Sequence, residues 1–176
     1  MLRATIFILA IAFAAPAAAE VRSSGPQGFE IQHSVPLVVP QTAAFDAFAR
    51  IAQWWSPDHS YSGNASNLSL SLTAGGCFCE RLDGGGSVEH MRVVHVEPGE
   101  KLVLTGGLGP LLYEATAGVM EVKVERSAGG SRLVLNYRVA GFAKGGAERL
   151  APMVDKMIGE QLLRLRKYVS SGPRGG

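Results

Sequence analysis

The sequence has 176 residues, with 17 lysine and arginine side chains against 15 aspartates and glutamates and a formal net charge of +2 at pH 7. A chain so close to neutral lacks the concentrated basic patch that nucleic-acid binding usually needs, so we predict no nucleic-acid partner. The length suits a single domain with a hydrophobic core of its own.

Residues 1–19 have the pattern of a removable export signal. One basic residue, Arg3, precedes an uncharged apolar stretch, and small alanines end the segment. This arrangement predicts cleavage between Ala19 and Glu20. A membrane anchor would need about 20 apolar residues, and this run is shorter and ends at a proline. We therefore predict a periplasmic or secreted protein with no membrane attachment after signal removal.

Strand and helix patterns begin after a polar segment at residues 20–28, which we predict to be a flexible leader because it carries Gly25-Pro26. Alternating apolar residues predict a strand at 29–35, and an apolar face predicts a helix from 41 to 54. Alternation and glycine-rich turns predict further strands at 68–73, 77–82, 87–96, 101–105, 115–126 and 132–141.

The last predicted element is a long amphipathic helix at 148–169, with Pro152 tolerated only if it lies in the first turn. The element order predicts an α+β domain at 29–170 and a disordered tail at 171–176. In this fold class, a curved antiparallel sheet of about seven strands buries one face against the C-terminal helix. The space between sheet and helix is where a small-molecule pocket would form.

An aromatic and polar cluster follows the first predicted helix. We predict that this cluster forms one wall of the pocket, or that its tryptophans only anchor the helix to the sheet, since a buried tryptophan packs a large area. On the opposite side, flexible methionines suit an adaptable lining, although a filled core would show the same pattern. The candidate ligand-binding residues are Trp54, Trp55, His59, Tyr61, Leu104, Met153 and Met157.

The two cysteines, Cys77 and Cys79, lie on a predicted strand, where their Cα atoms would be about 6.6 Å apart. That separation is near the upper limit for a disulfide. If Leu82 pairs with Ser87, Cys79 faces His90, and two thiolates and an imidazole could then hold zinc or copper. The alternatives are a strained disulfide, a redox pair or plain packing, and we favour packing with no resident metal or cofactor.

The same register places Glu80 opposite Glu89, on the face away from the cysteines. A close carboxylate pair could have a raised pKa suited to acid–base chemistry. We favour the simpler interpretation of two solvated carboxylates, because charged side chains are rarely buried without partners.

Several short motifs follow one another along the chain: Trp54-Trp55-Ser56, Gly75-Gly76-Cys77-Phe78-Cys79-Glu80, Glu89-His90-Met91, Glu97-Pro98-Gly99, Leu102, Gly106-Gly107-Leu108-Gly109-Pro110 and the closing helix with Gln161, Leu162 and Leu165. In this order they resemble the START-like (SRPBCC, helix-grip, Bet v 1-like) superfamily. The most similar branch is that of the C-terminal domain of the Hsp90-ATPase activator. The resemblance covers about residues 29–169. It implies a sheet that grips a C-terminal helix around a hydrophobic cavity.

The resemblance implies a binder of a small apolar or amphipathic molecule, without a catalytic motif that can be carried over. The alternatives are a cyclase- or hydrolase-type enzyme of the same fold, using His59, Tyr61, Glu89 or His90 for proton transfer, and a protein-interaction module without a ligand. The sequence does not determine the oligomeric state.

Overall fold

The computed structural model describes residues 19–172 as one antiparallel sheet with two α-helices. The strands are β1 (Ala19–Gly25), β2 (Gly28–Leu37), β3 (Leu68–Leu70), β4 (Cys77–Arg81), β5 (Ser87–Glu97), β6 (Lys101–Thr105), β7 (Ala115–Ser127) and β8 (Gly130–Phe142). The helices are α1 (Gln41–Ala49) and α2 (Ala151–Ser170), and short 3₁₀ turns occupy several of the connections.

The eight strands are arranged in the order β1-β2-β8-β7-β6-β5-β4-β3, with α2 packed against the inner face of the sheet. This architecture confirms the predicted α+β helix-grip fold. Helix α2 begins at Ala151 with Pro152 in its first turn, where the missing N–H of proline costs nothing. A polar contact also joins the helix to the sheet, because His33 Nε2 lies 2.8 Å from Asp155 Oδ1.

Strand β1 corrects the expectation of a flexible leader at 20–28. Its backbone pairs with β2 from Ala19 opposite His33 to Gly25 opposite Gly28, and adds an edge to the sheet. The side chains of this segment are mostly polar, so the sequence shows no apolar alternation there that would predict a strand. Backbone pairing at an edge does not require apolar side chains, because the hydrogen bonds are made by the main chain.

Helix α1 is shorter than predicted, since it ends at Ala49 and a 3₁₀ turn at Ile51–Gln53 follows. This turn brings two tryptophans into the interior between the sheet and α2. The ring of Trp54 lies 5.5 Å from Phe48 and 5.6 Å from Trp55, and Trp55 lies 5.3 Å from Phe78, centroid to centroid. These rings fill the centre of the grip, where the remaining void is about 20 Å³.

The predicted signal at 1–19 lies almost wholly outside the described residues, as do residues 173–176 of the predicted tail. Within residues 19–172, no helix has both the length and the apolar character needed to span a bilayer.

Candidate functional site

A cavity of about 480 Å³ opens beside the filled centre of the grip. One wall is the first half of α2, which contributes Met153, Val154 and Met157. The facing wall comes from the segment 55–61, the loop at 108–110 and the inner face of β5. Cavities of this size match small-molecule sites, which typically enclose about 300–1,000 Å³.

Five of the seven predicted ligand-binding residues meet at this cavity: Trp55, His59, Tyr61, Met153 and Met157. The other two, Trp54 and Leu104, lie in the packed centre, where each is buried. Trp54 therefore fits the alternative prediction, that a tryptophan only anchors the first helix to the sheet. Its indole N–H donates to the carbonyl oxygens of Ala47 and Phe48, at 3.0 and 3.2 Å, which satisfies the end of α1.

Side chains of α2 hold the segment that follows Trp54. The side-chain oxygen of Gln161 accepts a hydrogen bond from the Ser56 N–H at 2.8 Å, and Gln161 is fully buried. Arg164 Nε donates to the Trp54 carbonyl at 2.8 Å. The cavity wall is therefore attached to the helix that forms the opposite wall.

Polar contacts cross the mouth of the cavity. The Tyr61 hydroxyl donates to the Gly109 carbonyl at 3.0 Å and joins the two loops of the wall. His59 Nε2 lies 3.5 Å from Glu160 Oε2, and Lys156 Nζ lies 3.9 Å from Glu160 Oε1. These groups give the cavity a polar rim around an apolar interior.

Glu80 is a buried carboxylate behind the cavity wall, with 1% of its surface exposed. The backbone N–H groups of Tyr61 and Ser62 donate to its two oxygens at 3.1 and 2.6 Å. Burial by itself raises the pKa of the Glu80 carboxyl. Hydrogen bonds from Ser62, Tyr61 and His90 outweigh that effect, and the pKa of this group lies below its ordinary value.

His90 joins Glu80 to the cavity. Its Nε2 lies 2.9 Å from Glu80 Oε2, and its ring is 5% exposed and lines the cavity. The ring lies between Phe78 and Tyr61, at centroid distances of 4.7 and 5.7 Å. Burial lowers the pKa of the imidazole, and the neighbouring carboxylate offsets only part of the shift. At neutral pH both shifts favour a neutral imidazole beside an ionised carboxylate.

A β-bulge explains why the predicted register between β4 and β5 was right at Cys77 and Phe78 but wrong from Cys79 to the turn. Cys77 lies opposite Arg92, as predicted, but Cys79 lies opposite Glu89 because His90 is an extra residue in β5. The bulge turns both His90 and Met91 to the inner face. Glu80 therefore does not face Glu89, and its interpretation as a solvated carboxylate was also wrong.

The bulge also separates the residues of the metal hypothesis. His90 is on the inner face, whereas Cys77 and Cys79 form a disulfide on the outer face. Their Cα atoms are 5.4 Å apart, closer than in a regular strand. Ligand atoms of Cys77, Cys79 and Glu89 lie within 4.8 Å of one another, but the sulfurs are bonded to each other.

Sequence reasoning did not place Glu80, Leu108 or Glu160 at the cavity, although it named Glu80 as half of a carboxylate pair. A signal existed for two of them. Glu80 is two residues from the buried Phe78 on the same strand, so it shares the inner face. Glu160 follows Met153 and Met157 at helical spacing, so it lies on their side of α2. Leu108 lies in a glycine-rich loop with no periodicity to place it.

No family model and no curated protein matches the sequence. Solved structures do match it. A putative uncharacterized protein from Rhizobium leguminosarum aligns at 18% identity over 84% of this chain and 97% of its own, with a TM-score of 0.60. CalU16 from Micromonospora echinospora aligns at 16% identity over 87% of each chain, with a TM-score of 0.58.

A third match is DynU16, a putative protein in the dynemicin biosynthetic locus, at 18% identity over 81% of this chain and 48% of its own, with a TM-score of 0.57. The chain shares the helix-grip α+β fold of these structures. Identities at this level show the fold alone. In this chain the open space of the grip lies near the start of α2, because aromatic side chains fill the centre.

Proposed function

We propose that the protein is an exported, non-enzymatic binder of a small amphipathic molecule. The observation that carries the proposal is the cavity of about 480 Å³ with its apolar interior and polar rim. Met153, Met157 and Trp55 offer apolar surface for the body of the ligand. His59, Lys156 and Glu160 lie where a polar end would reach the rim.

Two features support the exported part of the proposal. The segment 1–19 has the composition of a removable signal, and Cys77 and Cys79 form a disulfide. Disulfides persist mainly in oxidising compartments such as the bacterial periplasm. N-terminal sequencing of the exported protein tests this directly, with Glu20 as the expected first residue and Met1 as the result that rejects it.

The order of motifs supports a finer placement, in the branch that resembles the C-terminal domain of the Hsp90-ATPase activator. Trp55, from the motif Trp54-Trp55-Ser56, begins the cavity wall, and residues 108–110 of the glycine-rich motif continue it. Export would separate the protein from a cytosolic chaperone, so the proposal includes no such partner.

Native mass spectrometry of the protein from its export compartment tests for a bound molecule. Titration with 8-anilinonaphthalene-1-sulfonate then tests the site. We expect one bound probe per chain, and Met157→Glu to weaken binding at least about tenfold, because it places a charge inside the cavity. Leu163→Glu, on the exposed face of the same helix, is the matched control and should leave binding unchanged. Equal binding by all three proteins would reject the cavity as the site.

A second candidate is a cyclase- or hydrolase-type enzyme, which the Glu80–His90 pair favours. A neutral imidazole oriented by a carboxylate is suited to general base catalysis. Hydrolysis of a 4-nitrophenyl ester that depends on His90 would support this candidate. Equal rates for the wild type and His90→Phe would reject it for this probe.

A further inference from the structure

The hydrogen bonds of Glu80 determine which nitrogen of His90 carries the proton. An ionised carboxylate only accepts hydrogen bonds, and Glu80 accepts from the backbone N–H groups of Tyr61 and Ser62 as well as facing His90. Nε2 must therefore present its proton to Glu80. In a neutral imidazole, Nδ1 is then left with a lone pair and acts as an acceptor.

That acceptor is available to a ligand. Among residues 19–172, the His90 ring makes a single hydrogen bond, through Nε2, and the ring belongs to the cavity wall. Nδ1 of His90 is not among the buried side-chain atoms without a partner in the described residues, so the space beside it is accessible, and a ligand group that donates a hydrogen can take the place of water there.

The walls around His90 favour a flat aromatic ligand. Tyr61 packs against the His90 ring, and Trp55 lines the same cavity. The opposite wall carries Met153 and Met157, whose thioethers make favourable contacts with aromatic rings. Both walls can therefore contact the faces and edges of a ring system.

The charges near His90 favour a neutral donor over an anion. The buried Glu80 carboxylate lies directly behind the imidazole. A ligand carboxylate would bring a second negative charge towards it and has no hydrogen to donate to Nδ1. At the rim, His59 and Lys156 both contact the carboxylate of Glu160, so these two side chains already have an acidic partner.

We propose that the cavity selects a hydroxylated aromatic compound whose O–H donates to Nδ1 of His90, with Glu80 as the positioning residue that fixes the tautomer of the ring. This inference rests on the proposed ligand-binding function and adds the chemical class of the ligand.

The test compares 2-naphthol with 2-methoxynaphthalene, which has the same ring system and oxygen but no hydrogen to donate. We expect the full chain to bind 2-naphthol about five- to tenfold more tightly in calorimetric titrations, the range of one neutral hydrogen bond. Equal affinities for the two compounds overturn this inference and leave the binding function in place. If neither compound nor 8-anilinonaphthalene-1-sulfonate binds, the binding function itself fails.

Variants test whether the preference for 2-naphthol over its methyl ether depends on His90 and Glu80. In His90→Phe the preference for 2-naphthol should disappear while the affinity for the methyl ether stays within about twofold, because the ring remains and the acceptor is lost. Glu80→Gln should reduce the preference, because an amide no longer requires the His90 proton to be on Nε2. His95→Phe replaces an exposed histidine on the same strand and is the matched control, with the preference unchanged.

A measurement on the unmodified protein covers the case in which these variants fail to fold. Nitrogen-15 NMR distinguishes the two imidazole tautomers. We expect His90 to carry its proton on Nε2, and its Nδ1 resonance to shift with 2-naphthol but not with the ether. A proton on Nδ1 in the free protein overturns the inference.

Discussion

Glu80 is a buried carboxylate whose hydrogen-bond partners leave little room for substitution. Its two oxygens receive backbone N–H groups from Tyr61 and Ser62, at 3.1 and 2.6 Å, in a site that excludes water. An amide in place of the carboxylate would turn an NH₂ group towards a backbone N–H in either orientation. Two buried donors would then face each other without an acceptor.

Glu80→Gln is therefore expected to lower the free energy of unfolding by about 2–3 kcal/mol, measured by urea denaturation. Glu89→Gln, one of the outward-facing residues of β5, is the control. Glu89 pairs with Arg92 at the surface, and losing an exposed ion pair costs about 0–1 kcal/mol. Equal losses in the two variants would contradict the role assigned to the buried carboxylate.

Acid is expected to destabilise the protein through the same pair. The folded pKa of His90 lies below 6.5, so its contribution is complete above pH 6.5 and is lost as the pH falls towards the folded value. The folded pKa of Glu80 lies below 4.5, so its contribution is lost at lower pH, as the pH falls through the folded value.

Both groups bind more protons when unfolded, so stability should decrease as the pH falls below 6.5, and decrease again as it falls below 4.5. Urea midpoints measured across this range test the direction, with Tyr61 as the other titratable side chain beside the pair. In His90→Phe the first part of the decline should be absent and the lower part should remain. A gain in stability just below pH 6.5 would contradict the assigned shift.

At the scale of elements, the order of strands and helices was predictable, and the register of β4 against β5 was not. Alternation in the sequence identifies the strands after β1, but a bulge adds one residue without leaving a periodic signal. His90 and Met91 are consecutive and both buried, which a regular strand does not allow. Counting residues from the turn therefore placed Cys79 opposite His90. The metal hypothesis and the proposed pairing of Glu80 with Glu89 both depended on this incorrect register.

The disulfide between Cys77 and Cys79 should contribute little to the stability of its strand. It closes a loop of only three residues, and the chain-entropy argument assigns such a loop about 1–2 kcal/mol. The ladder between β4 and β5 is made by backbone hydrogen bonds that do not depend on the sulfurs.

The double variant Cys77→Ser/Cys79→Ser is thus expected to keep its fold and to lose no more than about 2 kcal/mol of stability. Circular dichroism during thermal unfolding measures this, with and without a reducing agent. The reductant should have no effect on the variant, which serves as the control. Unfolding of the wild type on reduction alone would reject the estimate.

For the whole molecule, the helix-grip fold followed from the sequence because one long amphipathic helix and a set of alternating strands can bury their faces only against each other. The position of the cavity did not follow. Phe48, Trp54 and Trp55 could equally have lined an open interior, and only their packing geometry shows that they fill it. Five of the predicted residues reached the cavity because their loop and helix continue past this filled centre.

A filled centre leads us to expect that the protein folds without a ligand. The aromatic rings supply the apolar burial that a hollow interior would lack. Ligand-free protein should unfold in one cooperative step, with coincident transitions by tryptophan fluorescence and far-ultraviolet circular dichroism. Separate transitions would indicate that the grip is loose until a ligand binds.

The attachment of the cavity wall to α2 has a consequence for the timing of folding. Ser56 and Trp54 are held by Gln161 and Arg164, more than 100 positions later in the chain. During synthesis from the N-terminus, residues 54–56 and the first strands emerge long before these partners exist. Contacts of such wide sequence separation form slowly, so the fold cannot be completed until nearly the whole chain has been synthesised. A late-closing chain of this kind is suited to crossing a membrane unfolded and completing its fold on the far side.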